Sequence, residues 1–406
     1  MKNKNNIPQG YKDSSLGAIP EEWEVKKIVD ICQILVGKDL KESNYSDTKT
    51  SVYDIPVYSN TIDKFGLYGY YNFEEYTGNS VTVVGRGVGL GTAFARKEGF
   101  GAIGRLLVLY PYEGIHYEYI ANYINDRINI LFESAAIPQL TGVQFSSYNI
   151  LCPPLPEQRK IAEILTLWDS AIEKQTQLIE KLETRKRGLM QQLLTGKKRL
   201  KGFDGELREL KLGNLGETYN GLTGKSKDDF GKGKPYIPYL NIFNNPQINI
   251  FSFDYVSIEE GEFQNKVQYG DVLFTVSSET PDEVGMASVL LDNIDDLYLN
   301  SFCFGFRLSD FKTLLPEFAC YFFRANTFRA DIYKLSQGAT RFNLSKASLM
   351  RLNVILPNIE EQTAISNILM AADKEIELAK NKLAALKEQK KGLMQVLLTG
   401  KKRIKI

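Results

Sequence analysis

Residues 186–200, KRGLMQQLLTGKKRL, return almost unchanged as KKGLMQVLLTGKKRI at 390–404. The same offset of 204 pairs Glu157-Gln158 with Glu361-Gln362, Ile161 with Ile365, Leu165 with Leu369 and Asp169 with Asp373. It pairs Ile172 with Ile376 and Leu182 with Leu386, and upstream it still pairs Leu140 with Leu344, Asn149 with Asn353 and Pro153 with Pro357. A gapless register over this length is an internal duplication, and a duplication dictates the architecture before any single element is considered. A second match, Lys27-Ile28-x-Asp30-Ile31 against Lys211-Leu212-x-Asn214-Leu215, has an offset of 184. The second globular block is therefore about twenty residues longer than the first. The chain reads as block, repeat, block, repeat: 1–152, 153–203, 204–357 and 358–406.

The repeats predict long helices. In the first, Ile161, Leu165, Trp168, Ile172, Ile179, Leu182, Leu189 and Leu193 alternate spacings of four and three, interrupted by Gln175 and Lys186. In the second the stripe is Ile365, Leu369, Ala372, Ile376, Ala379, Leu383, Leu386, Leu393 and Leu397, interrupted by Lys390. That spacing is the seam of a coiled coil. Each helix is entered from a proline-containing stretch and left through Thr-Gly-Lys-Lys-Arg. Glycine just past the last turn, with cations beside it, is a helix stop. Glu157–Leu194 spans roughly 57 Å at 1.5 Å per residue. A stripe that long needs a partner, and the other copy, running antiparallel, supplies one and gives pseudo-twofold symmetry. Each helix folding onto its own block is the alternative. The blocks themselves mix strand-like runs (80–85, 105–110, 270–276, 302–308) with aromatic-rich helical stretches, HYEYIANYIND and LPEFACYFFRAN. The expected class is α+β.

Composition bears on what such a chain binds. The net charge is +1, and the four segments carry −3, +5, −5 and +4 in order. Two slightly acidic blocks alternate with two short basic stretches. No one surface promises strong non-specific affinity for a polyanion, which scales with the phosphates neutralised. No apolar run approaches the ~20 residues of a membrane span, and the start, MKNKNNIPQGYKDS, has no apolar signal core. The four cysteines, Cys32, Cys152, Cys303 and Cys320, form no CxxC pair. A cytoplasmic protein with no membrane partner and no metal is expected.

Motifs for chemistry are poor. VTVVGRGVGLG at 81–91 has Leu90 where a dinucleotide loop needs a small residue, so a strand-to-strand turn projecting Arg86 is the better reading. GLTGKS at 221–226 lacks the upstream glycine of a phosphate loop, since Tyr219 stands there. His116 is the single histidine, which excludes a histidine metal cluster. There is no Asn/Asp-Pro-Pro-Tyr/Phe motif of an adenine aminomethyltransferase. An enzyme reading rests on two defective glycine motifs. A non-catalytic coiled-coil scaffold with two protein-binding domains remains an alternative. It would normally duplicate its ligand sites, whereas here the connectors match and the blocks diverge.

The helix entry EQRKIAEIL (157–165), the exits GLMQQLLTGKKR and GLMQVLLTGKKR, and the approach GATRFNLSKASLMRLNVILP (338–357) resemble the specificity subunit of type I restriction-modification systems. The resemblance covers essentially the whole chain. It implies two target-recognition domains, 1–152 and 204–357, and two conserved spacer helices, 153–203 and 358–406. It implies one half of a split double-stranded DNA site for each domain, with two modification (methyltransferase) subunits bound to the helices and restriction subunits joining them. S-adenosylmethionine and ATP would sit on those partners, with no cofactor in this chain. The first block departs from the pattern: Ile137 and Gln139 stand where Arg341 and Asn343 stand in the second. On this reading the expected DNA contacts are Lys64, Arg86 and Gln139 in the first block. In the second they are Lys225, Lys227, Asn241, Asn244, Arg341, Asn343 and Lys346.

Overall fold

The structure, a computed structural model, describes residues 7–130, 139–338 and 340–404. The outer ends of the chain and Ile137 lie outside the described residues. The chain folds as two compact units, Met1–Thr176 with Asn381–Ile406, and Gln177–Lys380. Both mix helix and strand. The two long helices, Leu155–Leu193 and Ile359–Leu397, have 39 residues each. The first helix therefore begins two residues before Glu157 and takes Pro156 into its opening turn. A proline there costs nothing, because that N–H has no partner inside the helix.

In the first unit an antiparallel sheet runs Cys32–Val36, Leu107–Pro111, Ser80–Val83, Ala93–Arg96. In the second the order Gly216–Asn220, Cys303–Leu308, Val272–Thr275, Ala287–Val289 repeats that connectivity. The strands Ser80–Val83 and Val272–Thr275 inside these sheets are buried throughout, with helix Tyr117–Arg127 in the first unit and Pro316–Phe322 in the second closing the core. Phe274, Phe304, Phe306, Phe318 and Phe323 are fully buried in the second core, with Phe274 and Phe304 stacked at 5.4 Å. A short ladder, Asn149–Cys152 on Glu24–Lys27 or Asn353–Leu356 on Arg208–Lys211, ties the entry of each block to its exit.

The Glu-Gln pair that opens each helix has a defined task. In the first unit the Gln158 amide accepts from the His116 backbone N–H at 2.8 Å and donates to the carbonyls of Gly114 and Pro153. In the second, Gln362 accepts from Leu315 N–H at 2.9 Å and donates to Thr313 and Pro357. Each glutamine thus pins the start of its block's aromatic helix to the start of the long helix. Glu157, fully buried, accepts from Trp23 Nε1 at 3.0 Å and Arg403 Nε at 2.8 Å. Glu361 accepts from Arg199 Nε at 2.9 Å to both oxygens. Arg199 and Arg403 are themselves 204 apart.

Of the apolar stripe, Ile161, Leu165, Ile179, Leu182, Leu193, Ile365, Leu369, Ala372, Ile376, Ala379 and Leu397 are buried. Trp168, Ile172, Leu189, Leu383, Leu386 and Leu393 are half-buried. The lysines that interrupt the stripe are paired: Lys390 with Asp169 at 2.6 Å in the first unit, Lys186 with Asp373 in the second. Within the second unit, Lys380–Glu183, Lys186–Asp373 and Arg199–Glu361 join the two helices in opposite chain directions. Gly196 and Gly400, at φ +68° and +71°, turn the chain away, and the amide of Lys198 or Lys402 bonds back to the carbonyl six residues earlier. Only a residue free of a Cβ takes that conformation cheaply. No described helix is long and apolar enough to cross a membrane.

Candidate nucleic-acid interface

In the first unit two loops meet. Asn60 accepts from the Gly85 amide at 2.7 Å, and Gly89, at φ +84°, lies so close to Ile62 that a Cβ there would stand 2.3 Å from its Cγ2. The glycines of 85–91 thus allow a tight turn between paired strands Ser80–Val83 and Ala93–Arg96, as the spacing predicts. Arg86, exposed on this turn, forms an isolated bridge with exposed Gln139. Lys64 is exposed in the neighbouring turn Asp63–Gly66, where it and Phe65 take φ of 47° and 58°. Arg96 holds that strained turn. Its guanidinium donates to Phe65 O at 2.8 Å and Thr82 Oγ1 at 2.9 Å and lies 3.4 Å from the Tyr58 ring centroid. Burial pulls its pKa down to about 10. Lys64, Arg86 and Gln139 thus stand on neighbouring loops.

In the second unit, Ser277–Ser278 pairs with Phe342–Asn343, and Asn343 is the residue that the 204 register matches to Gln139. Each unit therefore closes the same position, just beyond the third strand of its sheet order, with the segment that leads into its long helix. Arg341 and Asn343 are exposed there. Exposed Asn244 follows Phe243 at the end of helix Tyr239–Asn244, and Phe243 and Arg341 line one cavity of about 380 Å³. Lys227 is exposed on the loop after Gly224.

Two expected contacts are corrected by their surroundings. Asn241 is buried, and its amide donates to Asn249 O and Ser252 O and accepts from Asn249 N–H, all at 2.9 Å. It shapes the 241–252 loop instead of facing a ligand. The Lys225 ammonium is largely covered and paired with Glu262, whose carboxyl that hydrogen bond pulls down to about 2. Lys346 is intermediate: half-buried, bonded to Asn220 Oδ1 and 5.6 Å from the Phe304 ring centroid, with burial lowering its pKa. It ties the 341–346 segment to the start of the 221–226 loop. Among the described residues, no group of three or more His, Cys, Asp or Glu is placed to hold a metal ion.

Residues missed by the sequence reading are the aromatics of the 380 Å³ cavity, Tyr239, Phe243 and Phe302. Tyr239 and Phe243 sit four apart on one helix and stack at 5.9 Å, a spacing visible in the sequence. Phe302 gave no signal, because it adjoins a strand whose other aromatics are core.

A family profile described as the type I restriction modification DNA specificity domain matches residues 20–184 and again 205–388. The chain belongs to this family. It is 26% identical to the putative type I restriction enzyme MjaX specificity subunit of Methanocaldococcus jannaschii, over 98% of this chain and 97% of that protein. It is 25% identical to the MjaVIII specificity subunit of the same organism, over 98% of both. The solved S subunit of a type I restriction-modification system from M. genitalium superposes with a TM-score of 0.60 at 15% identity, covering 98% of each chain. A chain from a structure concerned with assembly and conformational transition of the type I R-M system gives 0.59 at 16%, covering 94% of this chain and 99% of that one. These likenesses carry the fold. As a type I specificity subunit, the chain recognises DNA for a restriction-modification system and is not itself the catalyst.

Proposed function

We propose that this specificity subunit reads a bipartite, asymmetric site in double-stranded DNA. Residues 1–152 form a first target-recognition domain and 204–357 a second, each taking one half-site. Residues 153–203 and 358–406 form an antiparallel coiled-coil spacer that sets the distance between them. The observation that carries this reading is the contrast between a repeated frame, whose entry and exit motifs recur, and divergent readers. Offset-204 pairs such as Glu157/Glu361 and Lys186/Lys390 are retained, whereas Arg341 and Asn343 face Ile137 and Gln139 in the register. A constant frame with unlike readers suits two unlike half-sites.

The exposed residues Lys64, Arg86, Gln139, Lys227, Asn244, Arg341 and Asn343 are the proposed contacts, with Lys346 positioning the loop. Arginine and asparagine offer the donor patterns that discriminate guanine and adenine in the major groove. Two methyltransferase subunits bind the helices and basic ends, restriction subunits join them, and S-adenosylmethionine and ATP belong to those partners, in the cytoplasm. The test exchanges 27–150 for the matching block of a relative and maps adenine methylation in cells that also carry the partner subunits. One half-site changes and assembly persists. A change in both half-sites overturns the two-reader arrangement.

A further inference from the structure

The cavity in the second unit has a chemistry that a groove-reading surface does not need. It is lined by the apolar side chains of Tyr239, Leu240, Phe243 and Phe302 and by the charged side chains of Glu279, Glu283 and Arg341. The Tyr239 and Phe243 rings stack, nearly parallel at 19°, and the Tyr239 hydroxyl is fixed by donating to Ser277 O at 2.9 Å. The Phe302 side chain is 60% exposed and Leu240 65%, although both belong to a unit with a dense aromatic core. The backbone around Phe302 is held by Val276 N–H donating to its carbonyl at 3.0 Å and by its own N–H donating to Asn300 Oδ1 at 2.8 Å. An apolar ring presented to water on a fixed backbone beside a second aromatic wall is a stacking platform.

We propose that this cavity takes one unstacked nucleobase of the second half-site, and that the base carries an exocyclic amino group. The inference rests on the DNA-reading role proposed above. The aromatic walls fit a planar ring, the mode by which proteins hold bases outside a duplex. The two carboxylates exclude a phosphate from the interior and accept hydrogen bonds, so they suit the amino groups of adenine, cytosine or guanine. Thymine has none. Glu283 already accepts from Ser278 Oγ at 3.0 Å, which leaves exposed Glu279 as the group placed for the base. Arg341 at the mouth meets the phosphate of the same nucleotide.

The test uses the full chain assembled with its methyltransferase subunits, first to define the methylated motif and then to bind duplexes carrying that motif. Each position of the second half-site is replaced in turn by a stable abasic residue. At one adenine, cytosine or guanine, the abasic duplex should bind wild type roughly 10- to 100-fold more weakly, the range of one base–aromatic stack. The Phe302→Ala and Glu279→Ala complexes should bind the intact duplex about as weakly and lose little more at that position. Phe302 and Glu279 are exposed, so both variants should fold. Additive losses at every position overturn the pocket, as does coupling to a thymine or wild-type binding by both variants. A loss of subunit assembly with DNA binding intact assigns the cavity to a protein segment and overturns it too. A wild-type complex that methylates no defined motif refutes the DNA-reading role itself, and that result is read before any variant is made.

Discussion

Arg96 is a buried cation whose partners are a hydroxyl, a carbonyl and a ring, and it braces the turn that presents Lys64. Lysine cannot reproduce a planar fork that donates in two directions while lying flat on tyrosine. Arg96→Lys should therefore cost about 1–3 kcal/mol, the scale of one unsatisfied buried carbonyl. It should also weaken reading of the first half-site while leaving the second intact, as checked by thermal melting and methylation mapping. His116 makes a second residue-scale test. Burial holds its imidazole below the usual 6.5, and its Nδ1 is buried with no hydrogen-bond partner among the described residues. The folded chain thus binds this proton less readily than the unfolded chain. The stability involved is complete above about 6.5 and is lost as pH falls below that value. Melting temperature should drop between pH 7 and 5.5 more steeply for wild type than for His116→Gln. Equal slopes would remove His116 as the cause.

Among the elements, the long helices show what a single sequence can and cannot reveal. The apolar stripe of each long helix was legible because burial on one side of a helix repeats every three or four residues. Lys186 and Lys390 appeared only as interruptions, because their aspartate partners lie about 190 and 220 residues away and no local period encodes such a pairing. Glu157 and Glu361 were legible as part of a motif, but not as the carboxylates that receive Arg403 and Arg199. In the loops, residue type alone could not separate exposed Asn244 from Asn241, whose amide is consumed by its own loop. The energetic ranking follows from burial. Arg199→Leu leaves the buried Glu361 carboxylate unpaired and should cost about 3–5 kcal/mol. Lys380→Ala breaks a solvent-exposed pair with Glu183 and should cost under about 1 kcal/mol. Denaturant titration of the two variants separates them, and comparable losses would mean that Glu361 is stabilised by other groups.

For the whole molecule, the proposal that the helices act as a ruler makes the length of the unread gap a property of the helices, not of the readers. A helix of roughly 57 Å spans at most about 17 base pairs at 3.4 Å each, and each reader occupies part of that span. Readers approaching the duplex from one side should then have half-site centres about one helical turn apart. The helices can be lengthened near Gln175 in the first and Ala379 in the second, beside the divisions at Thr176 and Lys380. The ion pairs Lys390–Asp169, Arg403–Glu157, Lys186–Asp373 and Arg199–Glu361 each fall inside one unit, so an insertion there leaves them in place. Four residues add about 6 Å of helix, close to two base pairs. Inserted at both positions, they should leave both half-sites unchanged and lengthen the gap, as mapped by adenine methylation in cells carrying the partner subunits. The readers keep every side chain they read with, so a changed half-site would count against their independence from the spacer. An unchanged gap in a complex that still methylates would show that something other than these helices sets the distance.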